Sequence, residues 1–545
     1  MCREKVGPKL WTNPRDLKIL SLKMGNGERV RDDGRNTPSL LRNGFLNVGG
    51  QVARGAVVVL AIPFLIRLLG IAEYGVWSFA YAFLALVTMC EAGFSVAAAV
   101  FLSKDLANDN VVAAGHTLTF IILSALLLSS ALALVLWFAG PLIARLLTSF
   151  APAERSAAGH AMQIAGIAAA ILIFQRTLVG IEQAFDRYAV INALDLVQTL
   201  LTNLGFMAVA AWGGRTVGLM KWQITASVLV LLAHIYVVRS FSRAHRLAFG
   251  WNINKAQEIF RYSIATWTAT LGSAAFSQCD RLIVGAVLGP SLLGIYSAIT
   301  NITSKINTVS ATAVQPLVPS LSRDVAVSAP SQHRMRLSTR LNALIAIGAG
   351  MCIYLLADLF LRVLGTGDGG GQYVQALQIA AVIYALYSLS APGYFVLFSR
   401  GGVPTIALAT LSSGLFSLLL IFTGARYLGL LGAIVGNAGY LGTLAMIVAA
   451  SRKTGIALSR FFNWIAFPLV CFCVALAVGW ILRAHLTWRA AVVVAETLLF
   501  SIWFFYGRAK ETRMDFAGAP SVSDLNPYTV HALGDPALPN PWTSE

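Results

Sequence analysis

Fourteen apolar runs of about 20 residues follow one another through most of this chain: 44–66, 76–99, 116–139, 161–180, 190–212, 219–238, 262–288, 293–318, 341–361, 373–397, 403–423, 429–450, 464–482 and 488–506. About 20 helical residues cross the ~30 Å hydrocarbon core of a bilayer. Only helices and closed barrels satisfy their backbone polar groups there. Runs of this length and number point to an all-α polytopic membrane protein with about 14 transmembrane helices. Composition agrees, since 57% of the 545 residues are hydrophobic and 12% are charged. A soluble domain carries about 25% charged residues, and one this apolar would expose large sticky patches.

A net charge of +17 would suit a nucleic-acid binder, but the bases are placed otherwise. They sit mostly in tails and short loops, and 28 of the 41 Lys and Arg fall on the side of the N-terminus when the spans alternate. The positive-inside rule accounts for that bias and puts both termini in the cytoplasm. No nucleic-acid partner is expected. The loops 239–261 (Arg239, Arg243, Arg246, Lys255, Arg261) and 319–340 (Arg323, Arg334, Arg336, Arg340) carry most of it outside the tails. Residues 1–42 and 507–545 read as disordered cytoplasmic tails. No cleavable signal segment is expected, and Met24 offers an alternative start. The longest predicted outer loop, Gly140 to His160, is too short for a soluble catalytic module. The six cysteines show no metal-ligand spacing and five lie inside apolar runs, so they read as packing residues. Neither a metal nor a cofactor is expected.

The chain repeats itself. "LGIAEYGVWS" (69–78) returns as "LGPSLLGIYS" (288–297), both reading L-G-x4-G-[VI]-[WY]-S at an offset of 219. The same offset carries "LSKD" (102–105) onto "LSRD" (321–324). It drifts to 217 where Arg145 meets Arg362, and to 215 where "MQIA" (162–165) meets "LQIA" (377–380). The first twelve spans are thus two six-helix lobes related by an axis along the membrane normal. The expected organisation is an N-lobe at 43–239, a basic cytoplasmic linker at 240–261, a C-lobe at 262–450, and two further helices at 451–506. Duplicated halves of this kind suit alternating access around a site where they meet; the plainer reading is a duplicated scaffold or anchor.

Polar residues line single faces of several spans. In the seventh, Ser263, Thr266, Thr270, Ser273, Ser277 and Asp280 advance in steps of 3 and 4, and in the eighth Ser297, Asn301, Lys305, Thr308, Thr312 and Gln315 do the same. Such steps keep residues on one helical face. The first span shows Asn47, Gln51 and Arg54; the second shows Tyr81, Thr88, Glu91 and Ser95. The fifth carries Asn192, Asp195, Thr199 and Thr202. Hydroxyl stripes alone are commonly interhelical glue. Charges are different, because each costs roughly 2.5–3.5 kcal/mol at a helix centre. Leaving Arg54, Asp280, Arg281 and Lys305 in lipid would cost on the order of 10 kcal/mol. They are expected to face one another or a wet cavity. Three bases and one acid attract an anion, and two bases stay free even if Asp280 pairs with the third. That pattern suits a diphosphate, which favours charge-assisted contacts.

The segment "NVGGQVARGAVVVLAIPFLIRLLGIAEYGVWSFA" (47–80) resembles the first hairpin of bacterial polysaccharide flippases, the O-antigen and exopolysaccharide exporters of the multidrug/oligosaccharidyl-lipid/polysaccharide superfamily. "CDRLIVGAVLGPSLLGIYSAI" (279–299) resembles the start of that family's second half. The resemblance runs from about 43 to 506. It implies a V of two lobes, similar in plan to drug exporters, around a cationic cavity. It implies a transporter of undecaprenyl-diphosphate-linked oligosaccharide in the bacterial inner membrane, serving exopolysaccharide, capsule or O-antigen synthesis. By the same resemblance Arg54, Arg281 and Lys305 would contact the head group, and Asp280 and Glu91 are candidates for coupling to H+ or Na+. Asn47, Gln51, Thr270, Ser273, Ser277, Asn301 and Thr308 would line the cavity. Membrane lipids and polysaccharide polymerase or export proteins are the implied partners. A lipid II flippase or a cation-coupled drug antiporter of the same fold are the competing readings. An enzyme is not expected, because the outer loops are short and their acids, Glu73, Glu154 and Asp368, stand alone.

Overall fold

The computed structural model describes residues 55–315, 321, 329–365, 370–482 and 485–517, with backbone alone at 265, 268–277, 329–331, 370 and 505–517. The regular elements among them are all helices. The opening hairpin is α1 (Gly55–Leu69) and α2 (Ile71–Val87). A short break follows, then α3 (Phe94–Ala97), a π turn over Ala98–Leu102, and α4 (Ser103–Ala107). Four long helices come next: α5 (Val111–Arg145), α6 (Pro152–Ala184), α7 (Tyr188–Ala211) and α8 (Thr216–Ala244). The second half begins with α9 (Ile253–Leu288) and α10 (Pro290–Val314). It continues through α11 (Ala329–Leu355), α12 (Ala357–Leu364), α13 (Gly370–Ser388) and α14 (Ala391–Ser399). α15 (Val403–Gly436), α16 (Ala445–Thr454), α17 (Leu458–Ile481) and α18 (Leu486–Ala517) complete the chain.

Local chemistry sets these boundaries. Asn110 caps α5 by accepting from the Ala113 amide, and Asn252 caps α9 by accepting from those of Asn254 and Lys255, satisfying amides that the first turn leaves open. Pro152 and Pro290 occupy the first turns of α6 and α10, where a missing N–H costs nothing. The turns between α1 and α2 and between α9 and α10 are made by Gly70 (φ 80, ψ 158) and Gly289 (φ 79, ψ 176). Only glycine reaches that conformation without strain, and the two stand 219 residues apart. The sequence repeat is therefore a repeat of backbone geometry.

Ten described helices are long and apolar enough to cross a bilayer. One of them, Val403–Thr454, reverses direction within α15. At Gly429 (φ 62, ψ −140) the helical path is interrupted, and a Cβ at Gly424 would meet the Gly432 carbonyl oxygen. A Cβ at Gly436 would meet the Ile421 amide, and one at Gly439 the Ser417 backbone. That succession describes an antiparallel hairpin packed glycine to backbone, the close approach small residues permit in lipid. It accommodates the predicted runs 403–423 and 429–450 separately. The striped helices α9 and α10 are long enough but too polar to belong to the ten.

The outward surface is apolar, as a lipid-facing wall must be: Leu127, Leu134 and Phe138 of α5 are among many large exposed hydrophobic side chains. Inside, α5 and α6 pack along small residues, with Gly140, Gly159 and Gly166 in contact distance of the partner helix. Polar side-chain contacts also tie helices together away from the centre. Glu182 of α6 and His234 of α8 are fully buried, with His234 Nδ1 2.8 Å from Glu182 Oε1. Arg489 of α18 pairs with Asp358 of α12, fastening the last helix to the preceding bundle.

The repeat-related hairpins meet directly. A Cβ on Gly75 would lie 1.8 Å from the Pro290 carbonyl oxygen, and one on Gly294 would lie 2.4 Å from the Ile71 carbonyl oxygen. Gly75 and Gly294 are the third shared letters of the two motif copies, so each copy presents its glycine to the other copy's helix start. The contact is two-fold in character, like an isologous interface.

Candidate functional site

Asp280 and Arg281 are neighbours in sequence and therefore about 100° apart around α9, and the structure sends them to different places. The Asp280 carboxylate is buried and accepts from the Tyr296 hydroxyl of α10 at 3.0 Å through Oδ2. Asn437, just beyond α15, donates to that hydroxyl at 3.1 Å, and Tyr384 of α13 donates to Asn437 Oδ1 at 3.3 Å. One acid is thus held by a polar relay spanning four segments of the second half. Its Oδ1 is buried with no hydrogen-bond partner among the described residues.

Arg281 turns the other way. Its Nη2 donates to Asn301 Oδ1 of α10 at 2.7 Å. Lys305 lies one turn further along α10 and lines the same cavity. Among the described residues the Lys305 ammonium has no hydrogen bond and no ion pair. The cavity measures about 450 Å³. Its walls come from both repeats, Val58 and Tyr81 on α1 and α2, and α9, α10, α13 and the 403–454 hairpin opposite. Thr308 completes the polar side, and Tyr387 and Tyr440 the aromatic one.

Two further spaces adjoin it. A small one of about 80 Å³ shares Arg281 and Asn301 and reaches Trp77 and Asn203 in the first half. A larger one of about 430 Å³ shares Asn307 and Tyr387 and runs past Ser390, Tyr394 and Phe398. Arg281 therefore stands where spaces from the two repeats join.

Of the positions expected from sequence, the structure gathers Asp280, Arg281, Asn301, Lys305 and Thr308 around this cavity. Glu91 is elsewhere: it sits at the break after α2, accepts from the Ser95 hydroxyl at 2.8 Å, and does not line the cavity. That break packs on α9, where the Trp267 indole donates to the Met89 carbonyl at 2.6 Å and Gly93 lies against Ser263. Asn47, Gln51 and Arg54 lie outside the described residues, as do the side chains of Thr270, Ser273 and Ser277. Ser297 belongs to the eighth-span stripe yet is fully buried and absent from the cavity lining. Sequence reasoning misses Asn307 and Ser304, which flank the chosen stripe, and the whole Tyr296–Asn437–Tyr384 relay. One signal is present. Tyr296 is the aromatic letter of the second motif copy, matching Trp77 in the first, and both line or abut the central spaces.

Residues 64–367, more than half of the chain, match the family described as "Polysaccharide biosynthesis protein". The chain belongs to that family. Among proteins of curated function, none matches it by sequence. Several solved transporter structures are similar to this family member in fold. The lipid II flippase MurJ, in an inward closed conformation, aligns with a TM-score of 0.67 at 13% identity over 84% of this chain and 98% of its own. An inward-facing multidrug resistance MATE family transporter aligns with a TM-score of 0.61 at 12% identity, over 75% of this chain and 96% of its own. The MATE multidrug transporter DinF-BH, solved in complex with a ligand, gives 0.53 at 14% identity over 81% and 99%. At such identities the likeness is one of fold. The polysaccharide biosynthesis family member is accordingly a multi-pass membrane protein with the helical plan those transporters share.

Proposed function

We propose that this protein carries undecaprenyl-diphosphate-linked oligosaccharide from the inner to the outer leaflet of the bacterial inner membrane, for exopolysaccharide, capsule or O-antigen synthesis. It does so by alternating access of the two repeats, with both termini in the cytoplasm. The observation that carries this reading is the pairing of Arg281 and Lys305 on one cavity between the repeats, with the nearest acid, Asp280, already engaged by Tyr296. Two bases and one acid line this cavity, and the positive excess calls for an anion. A diphosphate fits them, since Arg offers a planar donor fork and Lys a mobile point charge. The adjoining aromatic space, with Tyr387, Tyr394 and Ser390, gives the attached sugars faces to stack on and hydroxyls to bond. Membership of a polysaccharide biosynthesis family supports that cargo.

The test is reconstitution of the purified chain in vesicles loaded with the lipid-linked oligosaccharide, reading out sugars that become accessible to an impermeant lectin on the opposite face. Accessibility no faster than in protein-free vesicles would overturn the proposal. Asp280 is our candidate for ion coupling, with H+ or Na+ as the ion. Its unpartnered Oδ1 leaves a buried coordination position open. Asp280→Asn keeps the bond to Tyr296 while removing the charge. It is expected to leave transport insensitive to an imposed ion gradient, and an unchanged gradient dependence in the same vesicles would dismiss Asp280 from that role.

A further inference from the structure

Another cavity shares no lining residue with the one between the repeats. It is a groove of about 510 Å³ at the C-terminal end of α8. Its apolar wall comes from Leu118 and Ile122, one turn apart on α5, and Phe174 and Leu178, one turn apart on α6. Its rim comes from α8, where Ile235, Val238, Arg239, Ser242 and Arg243 recur at helical spacing on one face. The buried Glu182–His234 contact, one turn beyond Leu178 on α6 and one residue before Ile235 on α8, holds these two walls together.

The rim is chemically unfinished. Neither the Arg239 nor the Arg243 guanidinium has a hydrogen bond or ion pair among the described residues. Neighbouring bases are engaged: Arg187 sits 4.5 Å over the Phe241 ring, and Lys255 pairs with Asp105 at 2.9 Å. The Ser242 hydroxyl is buried without a partner, an arrangement that costs free energy unless something supplies one. Among the described residues no carboxylate lines the groove. An apolar trough ending at two free guanidiniums and an orphan hydroxyl has the complement of one ligand type, a hydrocarbon chain ending in a phosphate.

We propose that this groove is a binding site for an anionic phospholipid, its acyl chain against Leu118, Ile122, Phe174 and Leu178 and its phosphate between Arg239 and Arg243. The placement fits the leaflet. Arg239 and Arg243 lie in the last two turns of α8, where its apolar stretch ends, the position at which bases between transmembrane helices meet lipid phosphates. A free phosphate would leave the apolar wall unused, and a zwitterionic lipid would leave one guanidinium competing with its own ammonium. The site is independent of the transport reading and needs only a bilayer around the bundle.

The test uses the full chain purified in detergent and titrated with dioleoyl phosphatidylglycerol or dioleoyl phosphatidylcholine, counting bound lipid by native mass spectrometry. Wild type is expected to retain phosphatidylglycerol over phosphatidylcholine. The double variant R239Q/R243Q is expected to bind phosphatidylglycerol roughly thirtyfold more weakly, ~1 kcal/mol for each arginine, with phosphatidylcholine unchanged. Ile122→Trp, which fills the trough and leaves both bases in place, is expected to weaken phosphatidylglycerol as well, and keeps the test open should the double variant not accumulate. Arg426→Gln, on a distant exposed base, is expected to change nothing. Equal retention of the two lipids by wild type would overturn the proposal. So would full phosphatidylglycerol binding by Ile122→Trp, an equal loss in Arg426→Gln, or displacement of the lipid by soluble glycerol phosphate at matched concentration.

Discussion

Arg281→Ala is expected to slow oligosaccharide transport tenfold to a hundredfold while the protein still reaches the membrane in normal amount. The magnitude follows from the contact it would remove. A hydrogen bond to a charged group is worth about 1.5–3 kcal/mol, and each 1.4 kcal/mol is a factor of ten. Membrane insertion should survive, because Arg281 lines a cavity and is held among the described residues by its bond to Asn301, so its loss removes a buried cost along with a contact. Arg281→Lys is expected to recover part of the rate, keeping the charge but losing the planar fork. Lys305→Ala should resemble Arg281→Ala, and the double variant should fall short of the product of the two, since both bases serve one anion and such neighbours couple. Polymer export by Arg281→Ala at native expression, measured in cells and indistinguishable from wild type, would remove Arg281 from the head-group role.

Part of this architecture is legible in the sequence and part is not, for physical reasons that differ. The 219-residue offset is written in glycines, and a glycine that makes a turn or a close contact leaves a mark no other residue can imitate. Gly70 and Gly289 share one backbone conformation, and Gly75 and Gly294 share one contact. The bases at 281 and 305 are legible for a similar reason, because a charge in an apolar run needs a partner or water. The Asp280 relay is different. Tyr296, Tyr384 and Asn437 come from three separate segments, and nothing in the periodicity of any one of them says which neighbours it will meet. The eighth-span stripe shows the limit of helical spacing itself. A step of three or four selects a face about 100° wide, so it includes the buried Ser297 and omits Asn307, which lines two of the spaces. Glu91 is a candidate by its charge within an apolar run, and the break at Thr88–Gly93 carries it out of the cavity. A helix interruption of that kind, with Ala92 at φ 54 and Gly93 at φ 72, has no apolar signature.

Gly75→Leu is expected to hold the two hairpins apart and reduce export about fivefold to a hundredfold, by a route that involves no substrate contact. The added Cβ would start 1.8 Å from the Pro290 carbonyl oxygen. That oxygen belongs to the first turn of α10 and cannot rotate aside as a side chain would, so the helices themselves must separate. Packed interfaces resist such shifts, and forcing extra atoms into them costs typically about 1–3 kcal/mol, enough to move a two-state equilibrium fivefold to about a hundredfold. We propose that the contact between α2 and α10 closes one end of the cavity, so its loss favours the state in which that end is open. Ile71→Cys reports this directly: with Gly75→Leu in the same chain, its labelling by an impermeant maleimide from outside the cell should rise. Gly294→Leu should act in the same sense, its Cβ meeting the Ile71 carbonyl oxygen at 2.4 Å, whereas Gly55→Ala, with no atom of the described residues within 4 Å, should be neutral. Wild-type labelling and wild-type export in Gly75→Leu would mean that the contact does not govern access. A rise in labelling with export intact would separate the gate from the cargo, because the bases at 281 and 305 remain in place in that variant and the barrier it alters is one of shape alone.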